Sequence, residues 1–226
     1  GEVLICDGAN KPYYFYMTGT GALNTRTFYA HEVIVNNNDA PTVGTIHSNH
    51  SIVAGTAEDP NLVYYSHLHE IDNFVGVGSG SVRLADKVTG LKSFRGDCIV
   101  FCRNSIYRLV NIEANDSTTA IVPITKNVGC LDGQSIQEIG GDLVFLSPDG
   151  IRTRAGTARI GDVELGTISR QVQPRFEGLT DVDEFDSLIV PDKTQYRIFF
   201  SNANITRGLT TGVIAVRKGD AYEFAE

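Results

Sequence analysis

Residues Gly141–Ile151, with the sequence GDLVFLSPDGI, contain the pattern on which the fold prediction depends. The first half is a short apolar run, Leu143–Leu146, of the length and composition typical of a buried β-strand. The second half, Ser147–Gly150, is a turn sequence, because proline supplies a φ near −65° and glycine allows the chain to reverse. The stretch therefore predicts a β-hairpin, in which Asp149 is expected to be an Asx-type turn residue rather than a catalytic group.

The same pattern occurs 45 residues earlier in Gly96–Ile106 (GDCIVFCRNSI), where the apolar positions align without gaps. Fainter copies are expected at Leu188–Val190, 45 residues after Leu143–Phe145, and at Ser51–Ala54. An all-β repeat of about 40–50 residues is typical of β-propeller blades, which have four strands each. We therefore predict an all-β fold, a β-propeller of about four to five blades that is complete or incomplete. The alternative is a β-sandwich whose hairpins are evenly spaced.

One short helical insert is expected among these strands. Thr167 is a candidate N-cap for a segment with apolar residues at Ile168, Val172 and Phe176, and Pro174 limits it to about two turns. The length of 226 residues is compatible with a single β-propeller-like domain over residues 1–226. The chain does not begin with Met and ends in a strand-like segment, so we expect a piece of a longer protein.

The composition excludes several classes of protein. With 27 acidic and 19 basic side chains the formal charge is −8, which argues against a surface that binds nucleic acid or anionic membranes throughout. No apolar stretch approaches the roughly 20 residues of a membrane span, and no signal peptide is visible. The four cysteines are too few and too irregularly spaced for a disulfide scaffold, so we predict reduced, partly buried thiols at Cys6, Cys98, Cys102 and Cys130.

All five histidines lie between positions 31 and 69, which makes a metal site conceivable. His67 and His69 are expected on one face of a strand, where they would join His47 or His50 as imidazole ligands. Neither pair belongs to a metal-binding signature, and the five histidines are His31, His47, His50, His67 and His69. We therefore predict no metal-binding, cofactor-binding or catalytic residue, and no cofactor.

Other candidate sites are also weak. Glu58–Asn61 (EDPN) superficially resembles an acidic motif of five-bladed propeller glycosidases, but the chain has no Arg-Asp-Pro and no Trp, and a polar turn is expected instead. Gly76–Gly80 is glycine-rich but precedes a strand-like run, so it does not indicate a phosphate loop. Gly-x-Ser-x-Gly and P-loop motifs are absent from the sequence. The basic residues Arg152, Arg154 and Arg159 are expected on a solvated outer strand or at a subunit contact. Because none of these motifs indicates catalysis, we predict that the protein is not an enzyme.

The order of short motifs resembles the propeller portion of tail nozzle (head-to-tail stabilisation) proteins of short-tailed bacteriophages. The resemblance covers about residues 44–175 and rests on the order of motifs that are individually unspecific. These motifs are His47–Gly55, Leu62–Ser66, Ile71–Phe74, Ile99–Phe101, Ser105–Leu109, Asn127–Cys130, Leu143–Ile151 and Ile168–Ser169.

The resemblance implies a structural virion protein that forms part of the ring-shaped nozzle or connector and conducts DNA during ejection. It implies a homo-oligomer, a hexameric ring in this family, in contact with tail adaptor, portal and other tail proteins. DNA would pass through the channel without specific binding, no membrane partner is expected, and the protein would be assembled in the host cytoplasm and located in the phage tail. The alternatives are a propeller glycosidase or other sugar-active enzyme, and a receptor-binding or adhesion module.

Overall fold

The computed structural model describes residues 2–18, 27–33, 35, 40–112, 118–155, 168–176, 179, 184–201, 211–219 and 221–225. The chain is all-β, as predicted, and its strands form five antiparallel sheets. Within each sheet the strands are neighbours in the order of the sequence. No helix among the described residues is long and apolar enough to cross a membrane.

The first three sheets contain eleven strands, and the last two contain seven. The first sheet comprises β1 (Glu2–Ile5), β2 (Tyr13–Thr18) and β3 (Thr27–Glu32). The second comprises β4 (Val43–His47), β5 (His50–Ala54), β6 (Leu62–Tyr65) and β7 (Gly80–Arg83). The third comprises β8 (Val88–Phe94), β9 (Asp97–Cys102), β10 (Ile106–Val110) and β11 (Ala120–Thr125). The fourth comprises β12 (Gln137–Ile139), β13 (Asp142–Ser147) and β14 (Gly150–Thr153), and the fifth comprises β15 (Glu184–Val190), β16 (Gln195–Ser201), β17 (Thr211–Lys218) and β18 (Ala221–Ala225).

The chain divides into two compact units. The first consists of Gly1–Val100 and Tyr107–Val122, and the second of Phe101–Ile106 and Pro123–Glu226. The first unit therefore contains the first two sheets and most of the third, and the second unit contains the fourth and fifth sheets.

The repeated apolar runs form the second strands of three sheets. β5 is buried at every position, and β9 and β13 are buried at every position after their first residue. Successive side chains of a strand point to opposite faces, so a strand that is buried at consecutive positions is covered on both faces. β16 alternates between buried and partly exposed side chains, because one face of the fifth sheet is covered more fully than the other.

The predicted repeats are confirmed at three positions and wrong at the fourth. The runs at 51–54, 97–102 and 142–147 occupy equivalent places in their sheets, but Leu188–Val190 lies in β15, which is a first strand. Leu188 is 42% exposed, whereas Leu143 is fully buried. The second strand of the fifth sheet is β16, which begins 53 residues after β13, because the connection over residues 154–183 makes the spacing longer than the repeat of 45 residues.

Each unit has a core between its sheets. In the first unit, Leu4, Tyr14 and Tyr16 of the first sheet pack against Val53 and Tyr64 of the second. In the second unit, β13 and β16 contribute Val144, Leu146, Tyr196, Ile198 and Phe200 to one cluster. These alternating apolar residues bury the facing surfaces of neighbouring sheets.

In each unit, one pair of neighbouring sheets approaches most extensively at its first strands. In the first unit, Cα atoms of β4 lie within 8 Å of those of β8. In the second unit, β12 and β15 approach in the same way. Two sheets that are stacked face to face are separated by about 10 Å, so these contacts mark strands where the sheets converge.

The predicted helical insert has the expected apolar spacing but a different helix type. Arg170–Arg175 is a 3₁₀-helix with Pro174 inside it, and Val172 has non-helical φ and ψ angles. Ile168, Val172 and Phe176 pack against the core of the second unit, as their spacing predicted. The candidate N-cap Thr167 lies outside the described residues. Two further 3₁₀-helices span Gly133–Ser135 and Pro191–Lys193.

Three fully buried serines outside the strands form hydrogen bonds with buried strand positions. The hydroxyl group of each accepts a hydrogen bond from a backbone N–H of a second or third strand in its unit. The pairs are Ser51 N to Ser66 Oγ (2.9 Å), Leu146 N to Ser135 Oγ (3.1 Å) and Ile151 N to Ser169 Oγ (2.9 Å). A buried N–H without an acceptor is costly, so these hydroxyl groups allow the loops to cover the sheets without water.

Candidate functional site

The turns at one end of the second and third sheets bring most of the polar candidate residues of the first unit together. The β4–β5 turn and the β6–β7 loop lie at the same end of the second sheet, because its strands are antiparallel neighbours. The backbone N–H of His69 in that loop donates to the carbonyl oxygen of Asn49 in that turn, at 3.0 Å. Four of the five histidines lie in this region, and the side chain of His31 is outside the described part of the chain.

His47 and His50 flank the β4–β5 turn and are directly opposite each other in the β-ladder. Both are buried, and His47 Nδ1 is hydrogen bonded to Ser93 Oγ at 2.9 Å. His50 Nδ1 donates to the carbonyl oxygen of Ser66 at 2.6 Å, because a carbonyl can only accept. The other ring nitrogen of His50, Nε2, is buried and has no hydrogen-bond partner among the described residues. The backbone contact therefore fixes the orientation of the His50 ring.

His67 and His69 do not share a strand face, so this expectation is wrong. They lie in a turn, in which His67 forms an isolated bridge with Glu70 and His69 has a φ of +64°. Period-2 spacing places two side chains on one face only when the backbone is extended. Within the described ranges, no group of three or more His, Cys, Asp or Glu residues is arranged to hold a metal ion.

A cavity of about 500 Å³ opens beside His47 at this end of the first unit. Its walls combine aliphatic side chains with one carboxylate, one imidazole, one amide and two hydroxyl groups. The residues are His47, Ser48, Gly96, Asp97, Leu109, Val110, Asn111, Ile112 and Thr118. Asp97 also contacts Arg108, with 3.5 Å between Oδ1 and Nη1. The volume of the cavity lies in the range of small-ligand pockets, roughly 300–1,000 Å³.

The cavity wall depends on three turn residues with positive φ. Ser48 (φ +48°), Asn111 (φ +60°) and Gly96 (φ +82°) adopt the left-handed region, in which the backbone reverses tightly. Asparagine and glycine tolerate this region better than most residues do. The sequence analysis did not predict this cavity. The polar and glycine residues that end the apolar runs could have indicated the turns that form its wall.

The β6–β7 loop next to the cavity exposes two valines. Val77 is 91% exposed and Val75 is 67% exposed. The predicted glycine-rich stretch Gly76–Gly80 leads into a strand, as expected, because its last residue, Gly80, is the first residue of β7. It therefore offers no helix N-terminus to a phosphate group.

The acidic stretch Glu58–Asn61 forms the polar turn between β5 and β6. Asp59 Oδ1 accepts a hydrogen bond from Arg83 Nη1 at 2.9 Å, and Asn61 contacts the same guanidinium. The hydrogen bond and the charge of Asp59 raise the pKa of Arg83 above its ordinary value. These contacts hold the turn against β7, and the carboxylate of Asp59 is engaged in the ion pair with Arg83.

Arg152 is not on a solvated strand, so the expected basic patch is wrong at this residue. Its side chain is 1% exposed and forms a bidentate ion pair with Asp149, in which Nε lies 2.9 Å from Oδ1. Burial raises the pKa of Asp149, whereas the hydrogen bond and charge of Arg152 and a hydrogen bond from Ser147 lower it. The lowering effects are larger together, so the pKa of Asp149 lies below its usual value. The predicted hairpin is confirmed, with Ser147 paired to Gly150, while Asp149 is the partner of a buried cation. Arg154 follows the end of β14, and Arg159 lies outside the described residues.

The four cysteines are free thiols, as predicted. Cys98, Cys102 and Cys130 are buried and Cys6 is partly buried. Burial, together with the neighbouring aspartates Asp7 and Asp97, raises the pKa of Cys6 and of Cys98 to about 12. These thiols are therefore protonated at neutral pH and are poor nucleophiles.

No protein-family model matches the chain, and no curated protein sequence matches it either.

Proposed function

We propose that this chain is a β-propeller structural protein of a bacteriophage tail, part of the ring-shaped nozzle or connector that conducts DNA during ejection. The observation that carries the proposal is the blade-like organisation: five sheets of consecutive antiparallel strands, with the first strands of one pair of neighbouring sheets converging in each unit. The order of motifs over residues 44–175 supplies the link to tail nozzle proteins.

The convergence of first strands favours a propeller over a sandwich. In a β-sandwich two sheets face each other across a core of nearly constant thickness, about 10 Å. In a propeller the blades spread from a central channel, so neighbouring sheets are closest at their innermost strands. The approach of β4 to β8, and separately of β12 to β15, supports the propeller geometry.

The charge of the chain supports a conduit rather than a nucleic-acid binder. A formal charge of −8 repels the phosphate backbone, and the buried cation Arg152 is paired with Asp149. A DNA channel requires low affinity, because tight binding would retain the genome during ejection. The partners proposed with this role are further copies of the chain, six in the family that it resembles, and tail adaptor and portal proteins.

Particle composition and electron microscopy test the proposal directly. Purified virions of the phage that encodes the chain are analysed by quantitative mass spectrometry, with the major capsid protein as the internal standard. We expect about six copies per virion and, in cryo-electron microscopy, a ring of propellers below the portal. Absence of the chain from virions, or a monomer that lies away from the DNA path, would overturn the proposal.

A recombinant assay separates this role from an enzymatic one. The full chain is incubated with a panel of glycans and, in parallel, examined by native mass spectrometry for ring-sized oligomers. We expect no hydrolysis and a concentration-dependent oligomer. Glycan hydrolysis that survives purification to homogeneity would replace the proposal with a sugar-active enzyme.

A further inference from the structure

One face of the first sheet is apolar and exposed. Side chains that are opposite each other in a ladder share a face, so Val3 lies beside Phe15, and Ile5 lies beside Tyr13, on the same side of the sheet. These four residues are 37–53% exposed. Leu4, between Val3 and Ile5, points to the other side and packs against the second sheet. Among the residues that the structure describes, the first sheet is therefore covered on one side only.

The centre of this exposed side is aromatic. Six residues belong to it, and we call them the outer face: Val3, Ile5, Tyr13, Phe15, Ala30 and Glu32. Tyr13 and Phe15 lie in the middle because they belong to β2, the central strand of the three. Their ring centroids are 6.2 Å apart and their planes are inclined at 32°. Rings at this spacing form one continuous apolar surface, which the aliphatic side chains of β1 extend on one side.

Polar groups border the rings of the outer face. Glu32 lies opposite Tyr13 on β3, and its Oε1 accepts a hydrogen bond from the Tyr13 hydroxyl at 3.0 Å. The other carboxylate oxygen, Oε2, lies 3.5 Å from Lys11 Nζ. The side chains of Lys11 and Glu32 are both partly exposed to water. The ion pair therefore offers donor and acceptor atoms beside the Tyr13 ring with no net charge of its own.

The size and charge of the outer face favour a small neutral ligand. β1 pairs with β2 over four positions, and three strands lie side by side, so the face measures about 14 Å by 10 Å. A stable protein–protein interface buries roughly 800 Å² on each partner, which is several times this area. The net charge of −8 opposes a second copy of this chain and also repels nucleic acid and anionic lipid.

A carbohydrate has the chemistry that this face recognises. A pyranose ring has an apolar C–H face, which packs on aromatic rings, and hydroxyl groups at its edge, which both donate and accept hydrogen bonds. Tyr13 and Phe15 match the C–H faces of sugars, and Glu32 and Lys11 match their hydroxyl groups. The sugars of a β-linked glucan form a flat ribbon, whereas those of an α-linked glucan coil. A shallow sheet face therefore fits the β-linked chain.

We propose that the outer face of the first sheet binds a neutral β-linked glycan. The rings of Tyr13 and Phe15 stack on the sugars, and Glu32 with Lys11 binds the hydroxyl groups of the sugar next to Tyr13. The glycan is held and not cleaved, because glycoside hydrolysis generally requires two carboxyl groups and Glu32 is the only one among the six residues of the outer face. The site is distinct from the virion role, and neither requires the other.

Calorimetric titration of the full chain with defined oligosaccharides tests the site. The probes are cellohexaose and chitohexaose, which are β-linked and neutral, and the control is maltohexaose, an α-linked chain with the same number of sugars. We expect saturable binding of at least one β-linked probe with a Kd below about 1 mM, and about tenfold weaker binding of maltohexaose. Absence of binding by both β-linked probes, or equal affinity for maltohexaose, would overturn the proposal.

Single variants locate the bound glycan on the outer face. Tyr13→Ala and Phe15→Leu each remove one ring and should weaken binding about tenfold, whereas Tyr13→Phe retains the ring and should stay within about threefold of the parent chain. Phe15→Leu keeps an apolar side chain on β2, so it tests the ring even if Tyr13→Ala folds poorly. The matched control, Tyr29→Ala, removes an exposed tyrosine from the opposite side of the same sheet and should bind like the parent chain. Equal affinities of Phe15→Leu and the parent chain would contradict the proposal.

Sedimentation velocity of the full chain separates a sugar ligand from a protein partner. A dimer that Phe15→Leu abolishes, without any glycan binding by the parent chain, would assign the outer face to a second copy and overturn the proposal. If Phe15→Leu loses glycan binding while virions still contain the chain, the glycan site is supported and the tail proposal stands independently of it.

Discussion

Replacing Asp149 with alanine is expected to destabilise the second unit much more than replacing its partner Arg152 with methionine. The Arg152 side chain is fully buried, whereas the Asp149 side chain is 39% exposed. Asp149→Ala leaves a buried guanidinium without its carboxylate, which typically costs about 3–5 kcal/mol. Because water reaches Asp149 and screens the pair, we expect the lower end, about 3 kcal/mol.

The reverse change removes the buried charge and leaves Asp149 in contact with water. Methionine fills much of the volume of the arginine stem, so Arg152→Met should cost about 1 kcal/mol or less. The double variant should resemble Arg152→Met, which gives a coupling free energy of about 3 kcal/mol between the two residues. In thermal terms, Asp149→Ala should lower Tm by about 6–12 °C, and the other two variants by about 2–4 °C.

Far-UV circular dichroism is the appropriate assay, since the chain has no Trp for fluorescence. The pH dependence provides an independent check. The pKa of Asp149 is lower in the folded chain than its unfolded value of 3.8, so its stabilising effect is complete well above pH 3.8 and is lost as the pH falls through the folded value. The difference between the parent chain and Asp149→Ala should therefore shrink below about pH 4. Equal destabilisation by the two single variants, or a double variant that is worse than both, would refute this reasoning.

Three other predictions concern the second unit and the thiols. Tyr196→Phe removes the buried hydrogen bond from the tyrosine hydroxyl to the carbonyl oxygen of Ser135 (2.8 Å) and should lower the free energy of unfolding by about 1 kcal/mol. Urea titrations measure this change, and an unchanged unfolding midpoint would contradict the prediction. Gly140→Ala should lower the free energy of unfolding by about 2 kcal/mol, because Gly140 has a φ of +57° and its new Cβ would displace Arg217 from the Gly140 carbonyl. The control Gly219→Ala has a φ of +63° and open space around it, so it should show only the backbone strain of about 1 kcal/mol. If the two glycine variants have the same Tm, the Arg217 contact is unimportant. At pH 7.5 the native chain should react slowly with iodoacetamide at all four cysteines and rapidly after denaturation, and fast labelling of Cys98 in the native chain would be inconsistent with its burial.

Local patterns in the sequence determined the strand content and the hairpins. Apolar runs that end in turn residues predicted β9, β13 and β14, because strand length and turn chemistry are properties of a few adjacent residues. The same reasoning failed at Leu188–Val190, where composition matched but the place in the sheet did not. A strand's position in a sheet depends on which other strands pair with it, and the spacing of repeats changes when a connection is longer.

The candidate site was less predictable than the fold. The histidine spacing suggested His67 and His69 as a pair, but the backbone turns between them, and the pair that the fold brings together is His47 and His50 across a hairpin. Arg152 was expected on a solvated outer strand or at a subunit contact, since arginine is mostly an exposed residue, whereas in the fold the carboxylate of Asp149 three positions earlier compensates its buried charge.

By itself, the sequence determined that the chain is all-β, that its strands come in repeating hairpins, and that its thiols are unpaired, because each follows from local composition and spacing. Tertiary structure alone decided which strands are covered on both faces, where the cavity opens, and that Val75 and Val77 are exposed in the β6–β7 loop. These features depend on contacts between residues far apart in the chain, such as His47 with Ser93 and His69 with Asn49. Burial is a property of the assembled sheets, and no single strand contains it.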